Sequence, residues 1–409
     1  MSFNTAISGL NAASTELNVI GNNIANASTS GFKMSRAEFA DVYPVSNFGV
    51  GANTVGAGVK VGAITQQFTQ GNVNFTNSAL DLAINGDGFF RLSQNGAITY
   101  SRAGAFGLDA NGFISNKDGQ HLTGYLANNG AITGALGDLQ ISLADLAPSA
   151  TTAGTVGVNL DATAAIPAVP FNPLSVQPNM YNNSTSFTIY DSLGTSHLAS
   201  AYFVKTGANS WDTHLFVDGN PATTGSAGTL TFNPNGSIAT VNGGPVPPGT
   251  AAYTYTTVNG SNPLAFTLDY SQTTQFGSPF GVNFVTQDGY TTGRLAGIDI
   301  DGSGVLRARY TNGQSLVQGQ VVLTNFTNPQ GLKPQGDTQW AETSVSGAPL
   351  TGAPGTASLG LLQSGALEDS NVNLTEQLVA MITAQRNFQA NAQVITTENA
   401  ITQSIINMR

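Results

Sequence analysis

The 409-residue sequence predicts a mainly β protein with α-helical ends, built as nested domains. Three features predict it. Apolar residues recur at a helical period at both termini, closely spaced turn signals punctuate the middle, and one internal segment departs from the rest in charge and proline content.

At the N-terminus, Phe3, Leu10, Leu17 and Ile24 fall seven apart, with Ala6, Ala13 and Ile20 three after the first three of them. Gly9 and Gly21 interrupt this pattern, each costing about 1 kcal/mol relative to Ala in a helix interior. Such a helix is marginal alone in water and needs a partner. Residues 29–70 read as an extended connector. Its Gly49–Gly62 stretch is Gly-rich but has no Lys-Ser/Thr pair of the kind that cradles phosphate, so it reads as adaptable chain.

Strand signals come next. Phe89–Ser93 and Ala97–Ser101 flank Gln94-Asn95-Gly96, a hairpin signature, and turns return at Asp109-Ala110-Asn111-Gly112 and Asn116-Lys117-Asp118-Gly119. Spacing of this kind belongs to a meander or barrel, not to βαβ units. The rhythm resumes at Phe187–Tyr190, Ala199–Lys205 and Trp211–Val217, around Pro234-Asn235-Gly236, and at Leu295–Asp299 and Val305–Tyr310. Residues 148–288 hold 12 of the 17 prolines, no Arg, no Glu and one Lys, Lys205, against six Asp. They read as an inserted β domain. The flanks, 71–147 and 289–369, then combine into one discontinuous β domain.

From Leu374 to Met408 there is no Gly or Pro. Leu374, Met381, Phe388 and Ile395 fall seven apart, Leu378 follows the first by four, and Ile401, Ile405 and Met408 continue the face. At about 1.5 Å per residue this helix is roughly 50 Å long. Asn373 with Glu376 three residues on marks its start. So long and unbroken a helix suggests a coiled coil, and residues 1–28 and 370–409 are expected to pair into a coiled-coil-like inner domain.

Composition narrows the function. Charged residues make up 9% of the chain, against about 25% in ordinary globular proteins. A net charge of −10 argues against nucleic acid, which needs a basic footprint. With no cysteine, disulfides and thiol chemistry are excluded. No apolar run approaches a membrane span, so no membrane insertion is expected. The first basic residue is Lys33, which leaves the N-terminus without the charged region of a secretory signal peptide. His121, His197 and His214 show no zinc spacing, and no G-x-S-x-G elbow is present. Asp299-Ile300-Asp301-Gly302-Ser303-Gly304 opens like a calcium loop, but its twelfth position is Tyr310 rather than Glu, so a hairpin turn is expected. No catalytic, cofactor-binding or metal-binding residues are expected, and the chain does not read as an enzyme.

Three segments resemble the axial proteins of the bacterial flagellar rod and hook. The first runs from Ser8-Gly9-Leu10-Asn11-Ala12-Ala13 through Ile20-Gly21-Asn22-Asn23-Ile24-Ala25-Asn26 to Thr29-Ser30-Gly31-Phe32-Lys33. The second is Ala83-Ile84-Asn85-Gly86-Asp87-Gly88-Phe89-Phe90. The third is Asn371-Val372-Asn373-Leu374-Thr375-Glu376-Gln377-Leu378, followed by Ala384-Gln385-Arg386-Asn387-Phe388-Gln389-Ala390-Asn391. Within them Asn22, Asn23, Asn26, Thr29, Gly31, Phe32, Gly86, Gly88, Phe89 and Phe90 are the motif residues. Glu38-Phe39-Ala40-Asp41 and the large insertion favour the hook members of the family.

The resemblance implies a subunit that polymerises with itself into a flexible tubular joint between motor and filament. It implies contacts with rod, hook-cap and hook-filament junction proteins, and passage through the flagellar type III export apparatus without a cleaved signal peptide. Phe3, Ile7, Leu10, Leu17, Ile20, Ile24, Leu374, Leu378, Met381, Phe388, Ile395, Ile401 and Ile405 would then form the assembly interface. Two alternatives stay open: a distal rod-type axial protein, and a secreted β-rich adhesin using Tyr253, Tyr255 and Phe266 against sugars.

Overall fold

A computed structural model describes residues 2–43, 56–222, 228–247, 249–257 and 259–407. The chain is mainly β with one long helix at each end: α1, Ser2–Ala25, and α2, Leu374–Asn407. Asn373 caps α2, its carboxamide oxygen accepting from the backbone N–H of Thr375 at 3.1 Å and of Glu376 at 3.3 Å. No described helix is long and apolar enough to cross a membrane.

Two compact units divide the chain. The first comprises Met1–Leu143, Gly297–Arg309 and Ser315–Arg409; the second comprises Ala144–Ala296 and Tyr310–Gln314.

In the first unit, β1 (Ser35–Val42) and β2 (Gly58–Gln66) form an antiparallel hairpin with a bulge at Glu38/Phe39. The flanks of the Gly-rich stretch are therefore paired strand rather than free connector, and Gly49–Val55 lies outside the described residues. The main sheet runs in the order Val305–Tyr310, Ser315–Val321, His121–Asn128, Phe89–Gln94, Ala97–Ser101, Gln339–Ala341 and Lys333–Gly336. Three strands from the first half of the chain lie in its middle, flanked on both sides by strands from the second half. Further out, Val73–Phe75 pairs with Ala366–Glu368 and Leu82–Asn85 with Leu361–Ser364. The turn expected at Asn95-Gly96 has both residues at positive φ, 50° and 86°, which matches the right-handed twist of the flanking strands. Phe89, Tyr100, Phe326, Leu332 and Trp340 form an aromatic core, and Phe68 meets Phe89 and Trp340 edge-on at 5.5 Å.

The second unit has two sheets over one core. One sheet runs Asn183–Tyr190, Ser196–Gly207, Ser210–Val217, Gly228–Phe232, Ile238–Val241, Gly244–Pro245. The other runs Thr250–Tyr255, Leu264–Asp269, Ala153–Asp161, Thr274–Phe276, with Gly281–Gln287 also paired to Ala153–Asp161. Trp211, Phe203, Leu230 and Val158 are fully buried between them. The Trp211 indole donates to Gln275 Oε1 at 2.9 Å, so its polar edge is satisfied.

Candidate assembly site

Two contacts fix the register of the terminal helices. Asn23 Nδ2 donates to Gln377 Oε1 at 3.1 Å, a buried polar pair. Gly9 backs onto Asn391, whose side-chain oxygen lies 2.7 Å from where a Cβ would stand. Equal and opposite steps along the two helices connect these pairs, so α1 and α2 run antiparallel. One buried amide pair in a mostly apolar seam specifies register at some cost in stability.

The seam contains much of what the heptads predict. Ile20 is buried with Ala6 and Ala13, and Leu10, Leu17 and Ile24 are half-buried. On α2, Met381, Phe388 and Ile395 are half-buried on the stripe that carries buried Gln377 and Ala384. The remaining interface candidates do not join it. Phe3, Ile7, Leu374, Leu378, Ile401 and Ile405 are exposed, as are Val379, Ile382, Val394 and Ile406, which the heptad reading missed. Antiparallel pairing places Ile401, Ile405 and Ile406 beyond the start of α1, and residues 401–407 are all exposed. The helices therefore partner each other within the fold, but only along one face.

The other face of α1 rests on the hairpin. Ser8 Oγ accepts from the Val59 N–H at 3.2 Å, and Asn23 both donates to Ser35 O at 2.8 Å and accepts from Ser35 N at 2.9 Å. One asparagine thus binds helix, partner helix and hairpin together. Gly21 has nothing within 4 Å of a Cβ position. Gly21→Ala should accordingly stabilise the lone subunit by about 1 kcal/mol, read as a raised urea midpoint.

Below the helix pair, the three sequence motifs converge. Asn26 Nδ2 bonds back to Asn22 O at 3.0 Å, and Thr29 Oγ1 donates to Asn26 Oδ1 at 3.2 Å, closing the end of α1. Gly31 then turns at φ 72°, where a Cβ would lie 2.4 Å from Ala103 N, and its N–H donates to Glu368 O at 2.8 Å. Lys33 Nζ reaches Glu368 Oε1 at 2.6 Å and Thr69 O at 2.7 Å. Arg102 holds the other oxygen of Glu368 at 3.2 Å and donates to Gly86 O at 2.8 Å. The side chains of Lys33 and Glu368 are 0% exposed and that of Arg102 is 3%. Burial pushes Lys33 and Arg102 below their ordinary pKa values, and the shared Glu368 carboxylate opposes that shift. Phe89 and Phe90 are core, Gly88 packs at φ 125° against Leu323, Phe32 is half-buried and Asn22 is exposed.

Sequence reasoning missed Arg102 and Glu368, because their partners lie hundreds of residues away. One available signal was rarity: in a chain so poor in charge, an Arg or Glu inside strand sequence has a partner.

Elsewhere the structure corrects the sugar-binding reading. Tyr253, Tyr255 and Phe266 are 1%, 9% and 2% exposed and belong to the core of the second unit. Asp301 caps a hairpin turn, accepting from Ser303 N at 2.9 Å and Val305 N at 3.0 Å, as expected. His214 stacks on Phe171 with ring centroids 3.9 Å apart.

Comparison with known proteins covers the whole chain. Residues 3–33 match the family described as Flagella basal body rod protein, and 83–164 match the Flagellar hook protein FlgE/F/G D1 domain. Residues 159–290 match the Flagellar basal body protein FlaE D2 domain, and 363–408 match the Flagellar basal body rod FlgEFG protein C-terminal. The chain is 41% identical over 421 aligned residues to flagellar hook protein FlgE of Salmonella typhimurium, and equally so to that of Escherichia coli, covering all of both chains in each case. It is 34% identical to the Rhizobium meliloti protein of the same name, over 99% of this chain and 98% of that one. A solved structure, the Helicobacter pylori flagellar hook protein FlgE2, is similar in fold at a TM-score of 0.53 and 14% identity, covering 72% of this chain and 100% of that one.

Proposed function

The chain belongs to the flagellar hook protein family, and from that membership we propose that it is the structural subunit of a bacterial flagellar hook. Copies polymerise into a flexible tube that carries motor torque to the filament. The observation that supports this reading most is the uncovered apolar surface of α2, where Leu374, Leu378, Ile382, Ile401, Ile405 and Ile406 are each about half or more exposed. Each such side chain contributes roughly 1.5–3 kcal/mol when buried, and a neighbouring copy supplies the matching surface.

On this reading the helical domain, 1–28 with 370–409, lines the tube. The discontinuous β domain, 71–147 with 289–369, and the inserted domain, 148–288, form outer layers. Their Asn-, Thr- and Ser-rich surfaces suit wet contacts that exchange at little cost, which lets the tube bend while the inner helices resist twisting. Rod, hook-cap and hook-filament junction proteins adjoin the polymer at its ends. The subunit reaches this extracellular position through the flagellar type III apparatus without loss of a signal peptide.

Electron microscopy of the concentrated full chain should show tubes; persistent monomers would overturn the proposal. The second unit enters and leaves through paired backbone, with Leu146 N–H donating to Gly293 O at 2.7 Å and Ser149 N–H to Tyr290 O at 3.0 Å. Replacing 150–288 with a short Gly/Ser linker should therefore preserve polymerisation and change the curvature of the tubes.

A further inference from the structure

Two histidines are wired alike. In the second unit, His197 Nδ1 lies 2.6 Å from Asp218 Oδ2 and Nε2 lies 3.4 Å from Asp191 Oδ2. In the first unit, His121 Nδ1 lies 3.1 Å from Asp138 Oδ2 and Nε2 lies 3.7 Å from Asp109 Oδ2. In both, the Nε2 partner also caps a turn with its other oxygen. Asp191 Oδ1 accepts from Leu193 N at 2.9 Å and Thr195 N at 2.8 Å, and Asp109 Oδ1 accepts from Asn111 N at 2.9 Å and Phe113 N at 2.8 Å.

A carboxylate only accepts hydrogen bonds, and neutral imidazole carries one N–H. Only the imidazolium satisfies both aspartates. When His197 is neutral, the short Nδ1 contact keeps the proton, and the Nε2 lone pair faces Asp191 Oδ2. That same oxygen accepts from Asn259 Nδ2, which also donates to Thr195 Oγ1 at 3.3 Å, while Asn262 N donates to Ser192 Oγ at 3.0 Å. Asp191 is therefore the anchor of residues 259–262 on the 191–195 turn. The charged groups facing His197 are Asp191 and Asp218, and its remaining ring neighbour is Tyr255, with centroids 6.3 Å apart.

We infer that His197 is a proton-dependent latch: charged, it holds Asp191 and Asp218 together and keeps residues 259–262 docked; neutral, it loosens them. The titration agrees in sign. Burial opposes the imidazolium, but the hydrogen bonds it donates to Asp218 and Asp191 outweigh that and raise His197 above its ordinary value. Asp191 is buried and the Asp218 side chain is 42% exposed; desolvation raises both, yet their hydrogen bonds hold both carboxyls below the usual range. A raised His contributes stability that is complete below about pH 6.5 and is lost as pH climbs through its folded pKa. The depressed aspartates contribute stability that is complete above about pH 4 and is lost as pH falls through theirs. Closure is greatest between these limits. The His121 contacts, at 3.1 and 3.7 Å and with the side chain 28% exposed, are longer and better solvated.

The test is hydrogen exchange by mass spectrometry on the full chain from pH 5 to 9, corrected for intrinsic rates. Protection of the peptide covering 259–262 should fall roughly tenfold per pH unit of His197 coupling. In His197→Gln it should be low and independent of pH. Asp218→Asn should move the loss of protection to lower pH, and this remains readable if His197→Gln does not fold. A flat wild-type profile, a His197→Gln profile that keeps the wild-type slope, or an unmoved Asp218→Asn midpoint would each overturn the latch.

Discussion

A chain ending at Asn399 should keep its strand content and urea midpoint while losing the ability to form tubes. Residues 401–407 are all exposed and extend past the start of α1. Removing them therefore breaks no contact that holds the subunit together, and the register pairs at Gln377 and Asn391 are untouched. What is lost is apolar surface: Ile401, Ile405 and Ile406, at 51%, 63% and 62% exposure, each worth roughly 1.5–3 kcal/mol when a neighbour covers it. Multiplied over every subunit of a tube, that loss abolishes growth. Circular dichroism, urea unfolding and negative-stain microscopy on one preparation decide it. Tubes from the truncated chain would remove the overhang from the assembly surface.

Glu368→Gln should lower subunit stability by about 3–5 kcal/mol, the cost of breaking a buried ion pair from one side. Glu368 is the counter-ion of both Lys33 and Arg102, and it also accepts from Gly71 N at 2.9 Å. Neutralising it leaves two cations in a site whose side chains are at most 3% exposed. Against the ~5–15 kcal/mol of a typical domain this is a large fraction. Urea unfolding of the full chain measures it, and a shift below ~1 kcal/mol would mean the site is hydrated. Replacing Lys33 by Met together with Glu368 by Gln should recover part of the loss, because fewer buried charges then lack partners.

Periodicity and turn chemistry are local, and they were legible. Helix α2 spans Leu374–Asn407 where the Gly- and Pro-free run predicts it, and the hairpin at Asn95-Gly96 sits where its turn residues require. The division of apolar helix residues into paired and open faces was not legible. It depends on an antiparallel register set by Asn23–Gln377 and Gly9–Asn391, two contacts that no periodicity reports. Heptad spacing alone put Leu378 and Met381 on one face, whereas the fold turns Met381 toward α1 and leaves Leu378 half exposed. The hairpin of β1 and β2 was hidden because its glycine-rich approach masks a short paired register. Tyr253 and Phe266 misled because exposure cannot be read from a strand whose two faces are both unknown.

The pairing of Val73–Phe75 with Ala366–Glu368 also has a consequence during synthesis. A ribosome delivers the first strand roughly 300 residues before its mate, which at about 5–20 residues per second is a delay of about 15–60 s. Long-range pairings of this kind are slow to form even once both partners exist. The nascent polypeptide therefore cannot close its first unit until translation is almost complete. It spends most of its manufacture with the two parts of that unit unjoined.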